Sequence, residues 1–263
     1  MKPFEYVAAR TVDEAVEALV TSKGPARPMA GGTDLIVQLT EGRRVLDRVV
    51  DLGRVPELKK IELDPEGALR FGAALPCADL YSHAGVRAKF AMLVDAVSII
   101  GSVQVQSRAS VGGNLCNASP SADSIPALIC LGALAVVAGP EGRREVPVET
   151  FCTGPGQTIL SPGEILVELA LPAPERHEGG RYMRYIPRNE MDIAVVGAGS
   201  WVKWDPETGK IVDARIALGA VAPTPVRAPL AEAALIGKEP TREALEEAAR
   251  LAVLAAKPIS DVR

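Results

Sequence analysis

The sequence predicts an α+β protein built in two parts, the second smaller than the first. Three observations carry that prediction. A β-α-β pattern fills the first fifty or so residues, and from Ile61 onward hairpins alternate with helices. A break at Pro172-Ala173-Pro174, continuing to Gly179-Gly180, then precedes a long antiparallel hairpin and one last helix. A charged break rich in Pro and Gly is where few contacts cross between domains. The boundary is therefore expected there, dividing the chain into 1–175 and 176–263. At 263 residues and 48% hydrophobic content, the chain is long enough to bury two or three modest cores.

The elements follow in order. Phe4 to Ala8 reads as a short strand. Thr11-Val12-Asp13-Glu14 is a capping box: the Thr11 hydroxyl accepts from the Glu14 N–H, and Glu14 reaches back. The helix it opens carries Val12, Ala15, Val16, Leu19 and Val20 on one face and stops at Gly24-Pro25. A short segment, Arg27 to Ala30, leads to a glycine turn; Leu35 to Thr40 is the next helix and Val49 to Leu52 the next strand. Ile61-Glu62-Leu63 and Ala68 to Phe71 flank the turn Asp64-Pro65-Glu66-Gly67 and form a hairpin. Asp79 is placed to cap a short helix. Apolar residues at Ala91, Leu93, Val94, Val97 and Ile100 predict one helix from Val86 to Ile100, ended by Gly101. A polar, glycine-rich loop runs on to Ser121, and Asp123 to Leu131 reads as a buried helix turn. Ala133–Ala138, Glu145–Val148 and Ile165–Leu171 are strands. Beyond the break, Ile193–Trp204 and Ile211–Ala220 pair across Asp205-Pro206-Glu207-Thr208-Gly209, and Thr241 opens the last helix.

Composition excludes several function classes. A net charge of −4 argues against a nucleic-acid protein, which needs a basic face to neutralise phosphates. No stretch long enough to span a bilayer is free of charges, so no transmembrane segment is expected. The N-terminus, Met1-Lys2-Pro3-Phe4-Glu5, lacks an apolar signal-peptide core, so a cytoplasmic location is expected. Cys77, Cys116, Cys130 and Cys152 form no C-x-x-C pair and are expected to be free thiols; a metal or iron–sulfur site held by this chain alone is not expected. His83 and His177 are the only histidines, too few for a His-based triad or metal site. That scarcity points away from hydrolysis and towards a bound cofactor doing the chemistry.

Two glycine loops carry the functional signal. Ala30-Gly31-Gly32-Thr33-Asp34-Leu35 lies between a strand and a helix. Its glycines permit backbone conformations closed to other residues, and N–H groups at the helix start can then face an anion such as a pyrophosphate. The alternative is a tight turn with Thr33 or Asp34 as N-cap. The second loop, Ala109 to Asp123, offers Ser110, Asn114, Asn117, Ser119, Ser121 and Asp123 as polar groups around Gly112-Gly113. Asp123 could accept from a ribose or ribityl hydroxyl; the alternative is a Ser- and Asx-capped surface loop. Taken together, the loops could hold a dinucleotide's pyrophosphate from both sides. Gly197-Ala198-Gly199 imitates the start of G-x-G-x-x-G, but Val202 stands at its third glycine and no helix follows.

These residues resemble the FAD-binding subunit of the molybdenum hydroxylases, the xanthine dehydrogenase and carbon monoxide dehydrogenase family, with the medium subunit of the bacterial carbon monoxide dehydrogenase-like enzymes nearest. Ala30–Leu35, Ser110–Leu115 and Asn117–Leu128 carry the resemblance, which covers the whole chain. It continues through Ser161–Leu166, Arg188-Asn189-Glu190-Met191-Asp192-Ile193-Ala194 and Lys257–Arg263. It implies an FAD domain of the vanillyl-alcohol-oxidase type with two α+β subdomains, about 1–55 and 56–175. A small C-terminal α+β domain with a three-stranded antiparallel sheet would follow. By position, Met29, Ala30, Gly31, Gly32, Thr33, Asp34 and Leu35 match one FAD segment, and Ser110, Val111, Gly112, Gly113 and Asn114 the other. Asp123 matches an acidic residue on the FAD sugar or ribityl portion, and Leu166 an apolar contact. Ile100 stands where some relatives carry an aromatic residue, and Arg184 where some have Lys, a cation that would favour a negatively charged reduced flavin.

The resemblance also implies partners: a small subunit with two 2Fe–2S clusters and a large subunit with molybdopterin, assembled as a dimer of heterotrimers. Such a complex would be cytoplasmic or sit at the inner face of the membrane. Relatives run somewhat past the final Asp-Val-Arg, so a missing C-terminal tail is expected. Two other readings stay open: a free-standing FAD-dependent oxidoreductase, with Tyr182 or Tyr185 near the flavin, and a non-catalytic scaffold subunit.

Overall fold

The computed structural model describes residues 1–188 and 191–260. Asn189 and Glu190 of the matching segment Arg188–Ala194, and Asp261 to Arg263 of the segment Lys257–Arg263, lie outside the described residues.

The first layer is a parallel sheet of β1 (Glu5–Ala8), β2 (Ala26–Met29) and β3 (Arg48–Asp51), ordered β1-β3-β2. α1 (Val12–Val20) links β1 to β2, and α2 (Leu35–Thr40) links β2 to β3. The capping box forms: the Glu14 N–H donates to Thr11 Oγ1 at 3.1 Å. Glu14 reaches one residue further back than expected, to the Arg10 N–H at 2.7 Å. Val12, Ala15 and Ala18 of α1 then share one core with Val50 and Leu52 on one side and Ile165 and Val167 on the other.

The second layer begins with the hairpin β4 (Ile61–Leu63) and β5 (Leu69–Gly72). Asp64 Oδ1 closes its turn by accepting from the Gly67 and Ala68 N–H groups. Helices α3 (Cys77–Ser82), α4 (Ala84–Lys89), α5 (Ala91–Val97), α6 (Val103–Gln106), α7 (Val111–Asn117) and α8 (Ser124–Cys130) follow. Next come β6 (Leu134–Gly139), β7 (Gly142–Pro147), the small pair β8 (Cys152–Gly154) and β9 (Gln157–Thr158), and β10 (Ile165–Leu171). The antiparallel sheet is ordered β4-β5-β10-β6-β7. Its core joins Leu69, Phe71 and Leu169 to Leu93, Val97, Leu115, Ile125 and Leu128 on the helices.

Three expectations need correcting here. The helix expected over 86–100 is two, because the chain leaves helical geometry at Phe90 (φ −123°, ψ 53°), whose ring is buried. The loop expected from 101 to 121 contains α6 and α7, so Gly112-Gly113 lies in the first turn of a helix. Small and polar residues hide both helices from periodicity, and Ser102 and Ser110 start them as N-caps. Asp79 caps nothing: Pro76 holds the N-cap position of α3 and Asp79 falls inside its first turn.

The C-terminal part is a sheet of β11 (Glu178–Tyr185), β12 (Val196–Trp204), β13 (Ile211–Gly219) and β14 (Val226–Arg227), in that order. It has four strands, not the three expected. β14 is two residues long between Pro225 and Pro229, too short to show an alternation, yet it pairs with Ala217 and Leu218. One face is covered by α9 (Pro229–Leu235) and α10 (Arg242–Ala252), around Ile216, Leu218, Leu235 and Ala248. The other face packs on the helices of the second layer. Gly199 lies against Pro126 and Cys130 of α8 and Met92 of α5, so this glycine of the G-x-G imitation serves close sheet-on-helix packing, while Gly197 makes room for the Tyr182 ring of β11.

Candidate functional site

The first glycine loop leaves β2 at Met29, whose carbonyl accepts from the Leu52 N–H at 2.9 Å. Gly32 has φ +75°, the left-handed region, which only a residue without Cβ enters freely. Ile36 and the Met29 sulfur crowd the place where its Cβ would be. The Gly32 carbonyl accepts from the Ile36 N–H at 3.0 Å and starts α2. Asp34 holds the N-cap position without a side-chain cap bond, and burial pushes its carboxyl above the ordinary value against the pull of Arg43.

The second loop is set by Ser110. Its Oγ accepts from the Gly113 N–H at 3.0 Å, its carbonyl from the Asn114 N–H at 2.9 Å, and it bridges to Pro76. Gly112 is buried flat against the backbone of Ala73, where a Cβ would collide with the carbonyl. Gly113 differs: a Cβ there would meet only the Ser110 hydroxyl, at 3.1 Å. The chain's own packing explains Gly112 but not Gly113. Asn114 Oδ1 accepts from the Ser124 hydroxyl at 2.6 Å and so ties α7 to the start of α8.

The fold brings the two loops together. A Cβ on Gly31 would collide with the carbonyl of Arg108, so the first loop touches the second at its approach to Ala109. Further along, the Gln38 amide donates to Asn117 Oδ1 at 3.5 Å, and Arg44 Nε donates to Gln38 Oε1 at 2.9 Å. The beginnings of α2 and α7, each rich in backbone N–H groups and carrying the positive end of a helix dipole, therefore share one place. That donor set fits a diphosphate. The residues that would hold it are Met29 to Leu35 and Ser110 to Asn114.

The remaining expected site residues fall elsewhere. Ile100 is half-buried against the core of the second layer, and Leu166 is 4% exposed within that core. Asp123 and Arg184 meet each other: Arg184 Nη1 donates to Asp123 Oδ2 at 2.8 Å, and the Tyr182 hydroxyl to Asp123 Oδ1 at 2.9 Å. Burial pushes the Asp123 carboxyl above its ordinary value, with Arg184 pulling it down. Burial, then the charge of Asp123, pushes the Tyr182 phenol up. Ser124 and Gln38 were not expected at the site, and Tyr182 was expected there only on the free-standing oxidoreductase reading. The strand that carries Tyr182 was masked, because Gly179-Gly180 made the start of β11 read as part of the break. All four cysteines are free, and burial raises Cys77, Cys116 and Cys130 to about 12 and Cys152 to about 11. A cavity of about 380 Å³ lies away from both loops, lined by Phe90, Pro174, Trp201, Lys203 and Arg215 among others. No helix among the described residues is long and apolar enough to cross a membrane.

Fold and site define an α+β protein whose two glycine loops meet beside the starts of two helices, an arrangement that fits a phosphate-bearing cofactor. Comparison with known proteins makes this specific. Residues 2–174 match the FAD binding domain in molybdopterin dehydrogenase, and residues 181–263 match the CO dehydrogenase flavoprotein C-terminal domain. The chain is 34% identical over 228 residues to the xanthine dehydrogenase FAD-binding subunit of Escherichia coli O157:H7, covering 86% of this chain and 77% of that one. It is 32% identical over 260 residues to the carbon monoxide dehydrogenase medium chain of Hydrogenophaga pseudoflava, covering 99% and 89%. Among solved structures, carbon monoxide dehydrogenase from Hydrogenophaga pseudoflava superposes with a TM-score of 0.93 at 34% identity, covering 100% of this chain and 91% of that one. Quinoline 2-oxidoreductase from Pseudomonas putida 86 does so with a TM-score of 0.90 at 30% identity, covering 100% and 90%. The chain belongs to the FAD-binding medium subunits of the molybdenum hydroxylases, a family of oxidoreductases.

Proposed function

We propose that this chain is the electron-transfer flavoprotein of a heterotrimeric molybdenum hydroxylase, set between the 2Fe–2S clusters of a small partner subunit and an external electron acceptor. The observation that carries the reading is the meeting of the two glycine loops at the starts of α2 and α7. FAD held there supplies the electron storage. Backbone N–H groups at both helix starts would take the diphosphate oxygens, Gly113 would let the backbone come close, and Gly32 would give the first loop its turn. The chain's division is 1–175 for the FAD domain, with subdomains about 1–55 and 56–175, and 176–263 for the C-terminal domain. The large partner subunit carries molybdopterin and oxidises the substrate, so substrate identity lies outside this chain. The assembly is a dimer of heterotrimers in the cytoplasm or at the inner face of the membrane. Relatives named as medium chains and FAD subunits of carbon monoxide, nicotinate and xanthine dehydrogenases support this placement.

The test is the visible absorption spectrum of the purified chain, followed by release and identification of the chromophore. Released FAD, and its reduction when the partner subunits and their substrate are added, is the expected result. A chain that stays colourless after incubation with FAD overturns the reading.

A further inference from the structure

We infer that the Asp123–Arg184–Tyr182 cluster couples cofactor binding at the second glycine loop to docking of the C-terminal sheet, so that each strengthens the other. The inference rests on the FAD reading above and adds a role for the C-terminal part.

The loop side comes first. Asp123 ends the stretch that begins at Ala109 and holds the N-cap position of α8. Ser124, directly after it, donates to Asn114, directly after Gly113, through both its hydroxyl (2.6 Å) and its N–H (3.4 Å). Any displacement at the start of α7 is thus passed to Asp123 through two residues.

The sheet side is as tightly held. Both partners of Asp123 come from β11, and the Arg184 and Asp123 side chains are 11% and 10% exposed. Tyr182 lies over Gly197 of β12, where its hydroxyl fills the place a Cβ would take. Three residues before Arg184, Arg181 donates twice to Asp95 of α5, at 2.6 and 3.0 Å, and the Tyr182 N–H reaches the same carboxylate at 3.3 Å. The Ala220 N–H, just past β13, donates to the Pro120 carbonyl within the second loop at 2.7 Å. One strand therefore grips two carboxylates of the FAD-binding layer, one of them at the end of the glycine loop.

A buried ion pair is a weak source of stability, because desolvation offsets most of its attraction; its best-attested use is to select one arrangement. Here the arrangement selected has β11 docked and the loop closed. If β11 lifts away, Asp123 loses both partners and the loop loses its anchor. Such coupling is reciprocal: whatever factor docking contributes to cofactor affinity, the cofactor contributes to docking.

The experiment uses the full chain, with FAD as probe and trypsin cleavage after Arg176, which is exposed in the segment leading into β11, as the measure of undocking. FAD is expected to slow that cleavage. Arg181→Ala, which breaks the second grip away from the glycine loops, is expected to raise the cleavage rate roughly twofold to fivefold, and saturating FAD is expected to slow cleavage of this variant by the same factor as it does in the parent. Asp123→Asn and Tyr182→Phe should shrink the protection FAD gives, and Arg184→Lys should retain most of it. FAD that binds without slowing cleavage, or FAD that protects the Asp123→Asn chain as fully as the parent, overturns the coupling while leaving the FAD reading intact. A parent chain that binds no FAD overturns both.

Discussion

Gly31 lies against the backbone carbonyl of Arg108, so the two glycine loops are one structure joined at a contact that tolerates no side chain. Seventy-odd residues of chain separate them, and the contact forms only once β2 and the approach to α7 are in place. The site is therefore made by the fold as a whole. It follows that glycines side by side in sequence do different work, which substitutions can separate.

Gly113→Val tests the cofactor-facing role. With only the Ser110 hydroxyl near its Cβ position, the substitution should leave the fold close to its parent in thermal unfolding. It should nevertheless abolish FAD retention by blocking backbone approach to the diphosphate. Gly32→Val should also abolish it, here with some loss of stability, because φ +75° strains a β-branched residue. Stoichiometric FAD in both purified variants would sink the assignment of the loops.

Gly112→Ala tests the packing role. Its methyl group would be driven into the Ala73 backbone, and overpacking of this kind costs about 1–3 kcal/mol. Urea unfolding should show that loss, whether or not FAD is present. An unchanged midpoint would mean that α7 moves off Ala73 easily.

Asp123 should tolerate loss of its charge better than loss of its oxygens. Burial holds its folded pKa above the unfolded value despite Arg184. The stability this group contributes is then fully present below the unfolded pKa and is lost as pH rises through the folded one. Unfolding free energies from pH 3 to 8 should show the parent falling relative to Asp123→Asn as pH rises; the opposite slope would mean that the ion pair outweighs desolvation. Asp123→Ala should cost about 3 kcal/mol, because it leaves Arg184 buried without a partner.

Much of this architecture was legible in the sequence because local chemistry decided it. The Thr11 cap, the Asp64 turn and the apolar run Ile165–Leu171 each form from residues a few positions apart. Both Gly-Gly steps stood out as candidate anion cradles for the same reason, the reading on which the proposed function rests. What stayed hidden depends on contacts distant in sequence. Two glycines argue against a helix, and the Ser110 cap together with the packing of Gly112 on Ala73 sets α7 there. Asp123 and Arg184 were each expected at the cofactor, but nothing local says that residues 61 apart meet each other. β11 was lost behind Gly179-Gly180, where Gly180 is needed for close packing near Met92.

The thiols offer a last test that reads out the site itself. Cys116 lies on α7, three residues past Gly113, and Cys152 lies near enough for its charge to raise the Cys116 pKa further, beyond the effect of burial. The thiolate is the reactive form, and with folded values of about 12 and 11 very little of either exists near pH 8. A disulfide reagent should therefore label the folded chain slowly and all four cysteines quickly after denaturation. Because Cys116 is half-buried on α7, FAD held at the start of this helix should slow its labelling further, in proportion to occupancy of the site. Rapid labelling of Cys116 that FAD leaves unchanged would show that this helix is not part of the cofactor cradle.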